Sequence, residues 1–372
     1  MKIGIDVHAA ERDGTGNCTY IRGLVEALLS QDFENDYILY LIDRSHRFYR
    51  NIRQDARVRL RPLRAENPLV RIPLFLGRAT HRDSLDILHV QFIAPPRHRG
   101  KLVATIHDLG FLHLPRTFAR FFVFRSRMFI RQTARRAARI ITGSQFSKTD
   151  ISTRYGIAPE KIEVIPYGVS PRFGETQEPG QIHKTLAKYK IRPPYILSVS
   201  RLNPRKNLVS LAGAFSQLKR ELCLPHQLVL AGRGDYRTAK TIALIRKAGG
   251  PDIVLTDFVD DDDLPALYQG ADIFVYPSLF EGAGLPVLEA MAAGVPVIAS
   301  NTSSLPEIVG DAGITIDPLS VDEIIQAVRR LASDRDLKEE YRRRGRVRAA
   351  EFSWDKAAQK TLKIYQDLSR EA

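Results

Sequence analysis

Cysteine is scarce: Cys18 and Cys223 are the only two in 372 residues, too few and too far apart for a disulfide framework or a zinc site. A reducing compartment fits that scarcity. No run of about 18 apolar residues occurs, the length that a membrane-spanning helix needs, and the first residues, 1–7, read as a short strand rather than as a secretory leader. A cytoplasmic protein is therefore expected, with peripheral contact at the inner face of the cytoplasmic membrane left open. Internal repeats and low-complexity tracts are also missing, which excludes solenoids and disordered tails. What is present is ordinary, with 44% hydrophobic and 26% charged residues, as in soluble folded proteins.

Acidic residues are short in one half only. Residues 1–170 hold 28 Lys and Arg against 16 Asp and Glu, whereas the remaining 202 hold 28 against 26. The basic excess of the first half suits an anionic partner, either a phospholipid surface or an acidic acceptor.

Short apolar runs recur with polar or helical stretches between them, at 3–7, 37–42, 87–90, 102–106 and 140–143, and again at 195–199, 228–231, 253–255, 272–276, 296–299 and 314–316. That rhythm predicts parallel α/β sheets. The segment 171–181 is polar and carries Gly174, Pro179 and Gly180, so it ends one core and begins another. Two domains of 1–172 and 173–352 follow, with 353–372 as a last helix that straps back to the first.

The chemistry is concentrated after the run 272–276. There Ser278-Leu279-Phe280-Glu281-Gly282-Ala283-Gly284-Leu285-Pro286 leads into Val287-Leu288-Glu289-Ala290-Met291-Ala292-Ala293-Gly294, which reads as strand, glycine loop and helix. Pro286 suits the first helical position and Gly294 the stop. Gly282 and Gly284 leave the N–H groups near Ala283 and Leu285 open to an anion at the positive end of the helix dipole. Glu281 before the glycines and Glu289 in the first helical turn frame that pocket, and a carboxylate can accept two hydroxyls at once. A sugar at one end, a diphosphate between and a ribose at the other describe a nucleotide-sugar.

This string, with Glu281 and Glu289 as its Glu-x7-Glu pair, resembles the signature of the large retaining glycosyltransferase family 4. The resemblance implies the GT-B form of an α/β fold: two facing Rossmann-like domains with a central cleft and a C-terminal helix crossing back. It implies a nucleotide-sugar-binding second domain and an acceptor-binding first domain. It also implies that Glu281 lies near the donor sugar, that Glu289 holds the ribose, and that the N–H groups of 282–285 touch sugar and phosphate. Ala283 departs from the aromatic residue often found between the two glycines, which bears on the shape of the sugar pocket.

Other segments resemble the same family. Ser200-Arg201-Leu202-Asn203-Pro204-Arg205-Lys206-Asn207 follows the first strand of the second half, where the resemblance assigns Arg201 and Lys206 to the donor phosphates; as catalytic cations they would neutralise the departing diphosphate. Leu230-Ala231-Gly232-Arg233-Gly234-Asp235 resembles the turn near base and ribose, and carries Gly232. Thr302 and Ser303 either reach the phosphates or belong to a helix cap. In the first half, Gly14-Thr15-Gly16 is similar to the family's first glycine loop. Thr19 stands where a dinucleotide fingerprint needs a glycine, which disfavours a nicotinamide site. His107, followed by Asp108, ends a central strand, and the resemblance places it at the donor sugar, with Asp108 free to orient the ring.

Two features have plainer explanations. Asp260 to Asp263 look like metal ligands but precede a helix that they can cap, so no metal and no cofactor is expected. In 116–139 eight arginines interleave with phenylalanines; either the aromatics pack on the first sheet, or the helix lies on a membrane. Nucleic acid is not expected, for no recognisable module is present.

The function implied is metal-independent transfer of a mannose- or glucose-type hexose, from a donor such as GDP-mannose or UDP-glucose, to a hydroxyl of a saccharide or lipid-linked glycan. Cell-surface polysaccharide or glycolipid synthesis would be its setting. A nucleotide-sugar 2-epimerase and a silent nucleotide-sugar-binding protein are the alternatives.

Overall fold

The computed structural model describes residues 1–52, 55–234 and 238–371. Contacts divide the chain into two units, Met1–Gly168 with Ser353–Ala372, and Val169–Phe352.

The first unit holds seven parallel strands: β1 (Lys2–Asp6), β2 (Asp36–Leu41), β3 (Val58–Pro62), β4 (Ile87–Gln91), β5 (Lys101–Thr105), β6 (Arg139–Thr142) and β7 (Ile162–Val164). Their order is β3-β2-β1-β4-β5-β6-β7. Strands covered on both faces carry unbroken apolar runs, as in β2, where Tyr37 to Leu41 are all buried. The helix Trp354–Arg370 belongs to this unit. Its Ala357, Ala358, Thr361, Ile364, Tyr365 and Leu368 recur at helical spacing and are buried. Tyr365 Oη meets His89 Nδ1 at 2.5 Å, and a Cβ on Gly23 would stand 2.3 Å from the Trp354 ring, so the first helix, Gly16–Gln31, admits only glycine there.

The second unit holds β8 (Tyr195–Val199), β9 (Gln227–Ala231), β10 (Ile253–Leu255), β11 (Ile273–Tyr276), β12 (Val297–Ser300) and β13 (Ile314–Ile316), all parallel, in the order β10-β9-β8-β11-β12-β13. Tyr195 and Leu197 pack into the core layer on one face, and Ile196 into the layer on the other, the alternation that a pleated strand imposes. Both sheets are thus doubly wound, as the apolar rhythm predicts. The winding reverses between β1 and β4 and between β8 and β11. At such reversals the loops beyond the carboxyl ends of the strands leave a crevice that ligands use.

The basic aromatic segment differs from one of its two expected arrangements. It forms the helix Arg120–Arg136, whose buried residues are Ser126, Ile130, Thr133 and Ala134. Phe121 and Phe124 are 65% and 67% exposed, so these two rings do not pack on the sheet. Small and branched side chains bring the middle and end of this helix close to the sheet, while Phe122 near its start meets the rings of Phe111 and Phe118. No described helix is long and apolar enough to cross a membrane.

Candidate functional site

The loops that follow β8 and β11 meet at the reversal point of the second sheet. Asn203 accepts a hydrogen bond from Arg205 N at 2.9 Å and so caps the short turn Pro204–Lys206. The Arg205 carbonyl then accepts Leu279 N at 2.8 Å, which ties the two loops together. The result delivers Lys206 to Glu281, both 8% exposed. Lys206 Nζ donates to Glu281 Oε1 and to Tyr276 Oη at 2.7 Å. Ser278 Oγ donates to the same Glu281 oxygen at 2.5 Å. Arg205 donates to the Phe280 carbonyl at 2.7 Å and stands 3.7 Å from Glu281 Oε2. Burial on its own would raise the Glu281 carboxyl, but Lys206, then Arg205 and Ser278, outweigh it and hold the group down at about 2. Glu281 is an anion throughout the physiological range.

The turn after β12 braces this carboxylate from behind. Ser303 Oγ accepts Glu281 N at 2.9 Å and Ser304 Oγ donates to the Glu281 carbonyl at 2.9 Å, while Thr302 Oγ1 lies 3.5 Å from the Ser278 and Leu279 carbonyls. Thr302 and Ser303 are therefore engaged with the glutamate loop. Neither hydroxyl caps the helix Leu305–Val309, which has no side-chain cap.

Beyond Glu281 the chain turns through Gly284, whose φ of 60° is the left-handed conformation glycine tolerates. A Cβ there would also come within 2.9 Å of Leu305. The helix Leu285–Ala292 begins next, with Pro286 one residue later than the first helical position. Among the described residues the N–H groups of Ala283, Gly284 and Leu285 have no acceptor. Three open donors at the positive end of a helix suit an anion. Glu289 is the fifth residue of this helix, one position further in than a start at Pro286 implies. It accepts Tyr268 Oη at 2.8 Å. Burial pushes its carboxyl up to about 7, against the smaller opposing pull of Tyr268 and Arg172. Two carboxylates of one motif thus take opposite protonation behaviour from their surroundings.

Arg201, at the same loop, is exposed, and among the described residues its guanidinium has neither hydrogen bond nor ion pair. Gly232 has φ 141°, and a Cβ on it would overlap the Ser200 carbonyl at 2.0 Å. Glycine lets the β9 loop run against the β8 loop. Gly232→Ala should therefore cost at least about 1–3 kcal/mol and weaken ligand binding, checked by urea unfolding; unchanged stability would contradict the close approach. Past it, a cavity of about 420 Å³ is lined by Arg233, Gly234, Thr238, Ile242, Asp257 and Phe258, at the carboxyl ends of β9 and β10. Asp235 lies outside the described residues.

In the first unit Gly14, with φ 71°, turns the chain into the helix at Gly16, where Thr15 accepts Cys18 N at 3.2 Å. His107 is buried with both ring nitrogens engaged, Nδ1 with Tyr167 Oη at 2.5 Å and Nε2 with Gln91 Oε1 at 2.8 Å. Burial holds its pKa down at about 3, so the ring is neutral. Asp108 accepts Gly110 N at 2.8 Å, and the His107 ring is held by Tyr167 and Gln91 rather than by Asp108.

The aspartate run is held by a lysine, since Lys188 Nζ reaches Asp260 and Asp263 at 2.7 and 2.5 Å. Asp263 precedes the helix Leu264–Gln269 without a side-chain cap. No group of three or more potential metal ligands occurs among the described residues. Sequence reasoning overlooked Arg205, Tyr276 and Ser278 around Glu281, Tyr268 on Glu289, and Gln91 and Tyr167 on His107. Arg205 alone had a signal, as the neighbour of Lys206 in the loop.

Comparison with known proteins places the chain in a family. The family described as Glycosyl transferases group 1 matches residues 182–348, and Glycosyltransferase Family 4 matches residues 16–173. The chain is 32% identical over 287 residues to O-antigen chain mannosyltransferase B of Escherichia coli, covering 76% of this chain and 75% of that protein. It is 34% identical over 244 residues to the MMP alpha-(1->4)-mannosyltransferase of Mycolicibacterium hassiacum, covering 63% of this chain and just over half, 56%, of the relative. Among solved structures, Anabaena HepE in complex with UDP-glucose shares the fold with a TM-score of 0.76 at 18% identity, over 99% of this chain and 100% of that one. With both halves matched and three quarters of a mannosyltransferase covered, the chain belongs to glycosyltransferase family 4 and is a glycosyltransferase of the GT-B fold.

Proposed function

We propose that the protein moves a mannose- or glucose-type hexose from a nucleoside diphosphate donor to a hydroxyl of a saccharide or lipid-linked glycan, with retention of configuration and without a metal. Synthesis of cell-surface polysaccharide or glycolipid is the setting that the mannosyltransferase relatives favour. The observation that carries the reading is the ionised Glu281, set beside the open N–H groups of Ala283 to Leu285 and followed one turn later by Glu289. Glu281 accepts hydroxyls of the donor sugar. The three N–H groups, with Arg201 and Lys206, take the diphosphate, and Glu289 accepts the ribose hydroxyls. The cavity beyond Gly232 takes the base.

In the transfer step the bond from the anomeric carbon to the diphosphate oxygen breaks, and its electron pair stays on the phosphate. The acceptor oxygen bonds to that carbon from the same face, and its proton passes to the departing phosphate oxygen. Arg201 and Lys206 stabilise the charge that grows there. His107, neutral and buried, would serve as a hydrogen-bonding group rather than as a cation.

A thermal-shift screen against GDP-, UDP-, ADP- and dTDP-sugars tests the reading, since a ligand bound only by the folded protein raises its Tm. One donor should raise it, and Arg201→Ala should remove most of that rise while leaving the ligand-free Tm unchanged, because the side chain has no partner to lose. No shift with any donor, or full binding by the variant, would sink the assignment. Transfer should survive a chelator and require an acceptor; conversion of donor without acceptor would mark an epimerase instead.

A further inference from the structure

The helix Arg120–Arg136 presents outward what a soluble helix normally turns inward. Phe121, Phe124 and Met128 are 65%, 67% and 48% exposed, and they follow one another at helical spacing on one arc. Arg120, Arg127, Arg131 and Arg135 are exposed on the same side. None of these four guanidinium groups has an ion-pair partner among the described residues. Between Asp108 and Asp150 the sequence has no acidic residue at all. The apolar rank is therefore accompanied by a rank of uncompensated positive charge.

We propose that this face docks on an anionic phospholipid surface. Phe121, Phe124 and Met128 enter the boundary between headgroups and acyl chains, and the four arginines lie against the phosphates. An in-plane helix with aromatics beside arginines gains from both burial and attraction to negative lipid. A second copy of the chain is a poorer occupant. A two-fold contact through this face would bring eight arginines together with no acid to neutralise them. The proposal stands apart from the donor chemistry, since it draws on none of the residues assigned to it.

Cosedimentation of the full chain with vesicles tests it. The protein should pellet with phosphatidylcholine vesicles containing phosphatidylglycerol and not with phosphatidylcholine alone, and added salt should release it. The triple variant F121S/F124S/M128S should bind about tenfold less or weaker still at unchanged Tm, and R127A/R131A should bind on the order of tenfold less. Donor-induced thermal shifts should be the same in all three proteins, so failure here leaves the donor assignment standing. Equal pelleting of wild type and the triple variant would overturn the proposal. So would a dimer in solution that the triple variant dissolves, or binding to a single-stranded oligonucleotide in preference to the anionic vesicles.

Discussion

Lys206→Ala is expected to destabilise the protein by roughly 3–5 kcal/mol, the usual cost of leaving one member of a buried ion pair without the other, and to abolish transfer. Glu281 and Lys206 are both 8% exposed, so water cannot replace the lost ammonium. The Glu281 carboxyl, held at about 2 chiefly against its own burial, would then rise, and the variant should be most damaged at neutral pH and recover partly in acid as the carboxyl takes up a proton. The wild type has the opposite dependence. A carboxylate whose folded pKa lies below its ordinary value contributes stability above about 4.5 and loses it as pH falls towards 2. Removing both charges separates stability from activity. Lys206→Met with Glu281→Gln should recover most of the stability while remaining inactive. Urea unfolding at two pH values, with donor turnover beside it, decides the matter, and a single variant as stable as the wild type would contradict the buried pair.

The second large effect concerns affinity. Burial holds Glu289 up at about 7, so near neutrality the ligand-free protein carries this group in both forms. A carboxylate accepts two ribose hydroxyls, whereas the protonated acid offers fewer acceptors. The nucleotide therefore selects the ionised form. Its Kd should fall as pH rises from 6 to 8, by up to about tenfold per unit below the pKa, with a proton released on binding. Glu289→Gln should bind on the order of tenfold to a hundredfold more weakly, with a flat pH profile. Calorimetry in buffers of different ionisation enthalpy measures both quantities. A wild-type Kd that does not respond to pH would remove Glu289 from the ribose.

The meeting of Glu281 with the Lys206 loop was legible because both segments follow parallel strands, and ligand loops gather at the carboxyl ends of such strands. Which cation would face the glutamate was not. Arg201, Arg205 and Lys206 share one loop, and the Asn203 cap turns Arg205 and Lys206 inward while Arg201 stays in solvent. Side-chain direction in an irregular loop depends on such local hydrogen bonds rather than on any periodicity. The same limit applies to His107, whose partners are Gln91 at the end of the neighbouring β4 and Tyr167 in the segment after β7. In the arginine-rich helix, one of the two expected arrangements had the phenylalanines packed on the sheet. Close packing favoured Ser126, Thr133 and Ala134 instead, since Ala134 is fully buried and Ser126 and Thr133 are 1% exposed. Small side chains let a helix sit near its sheet, and their contribution is invisible to a count of apolar residues.

The return of Trp354–Arg370 to the first unit has a consequence for synthesis on the ribosome. A chain made from its N-terminus completes Val169–Phe352 before the last helix of the other unit exists. Until then His89, which ends up buried beside Tyr365 with its pKa held down at about 3, has no phenol to pair with, and the notch at Gly23 has no indole to fill it. The second unit to begin is therefore the first that can be finished. The unit begun first must wait, with an incomplete core, for residues made more than 180 positions later.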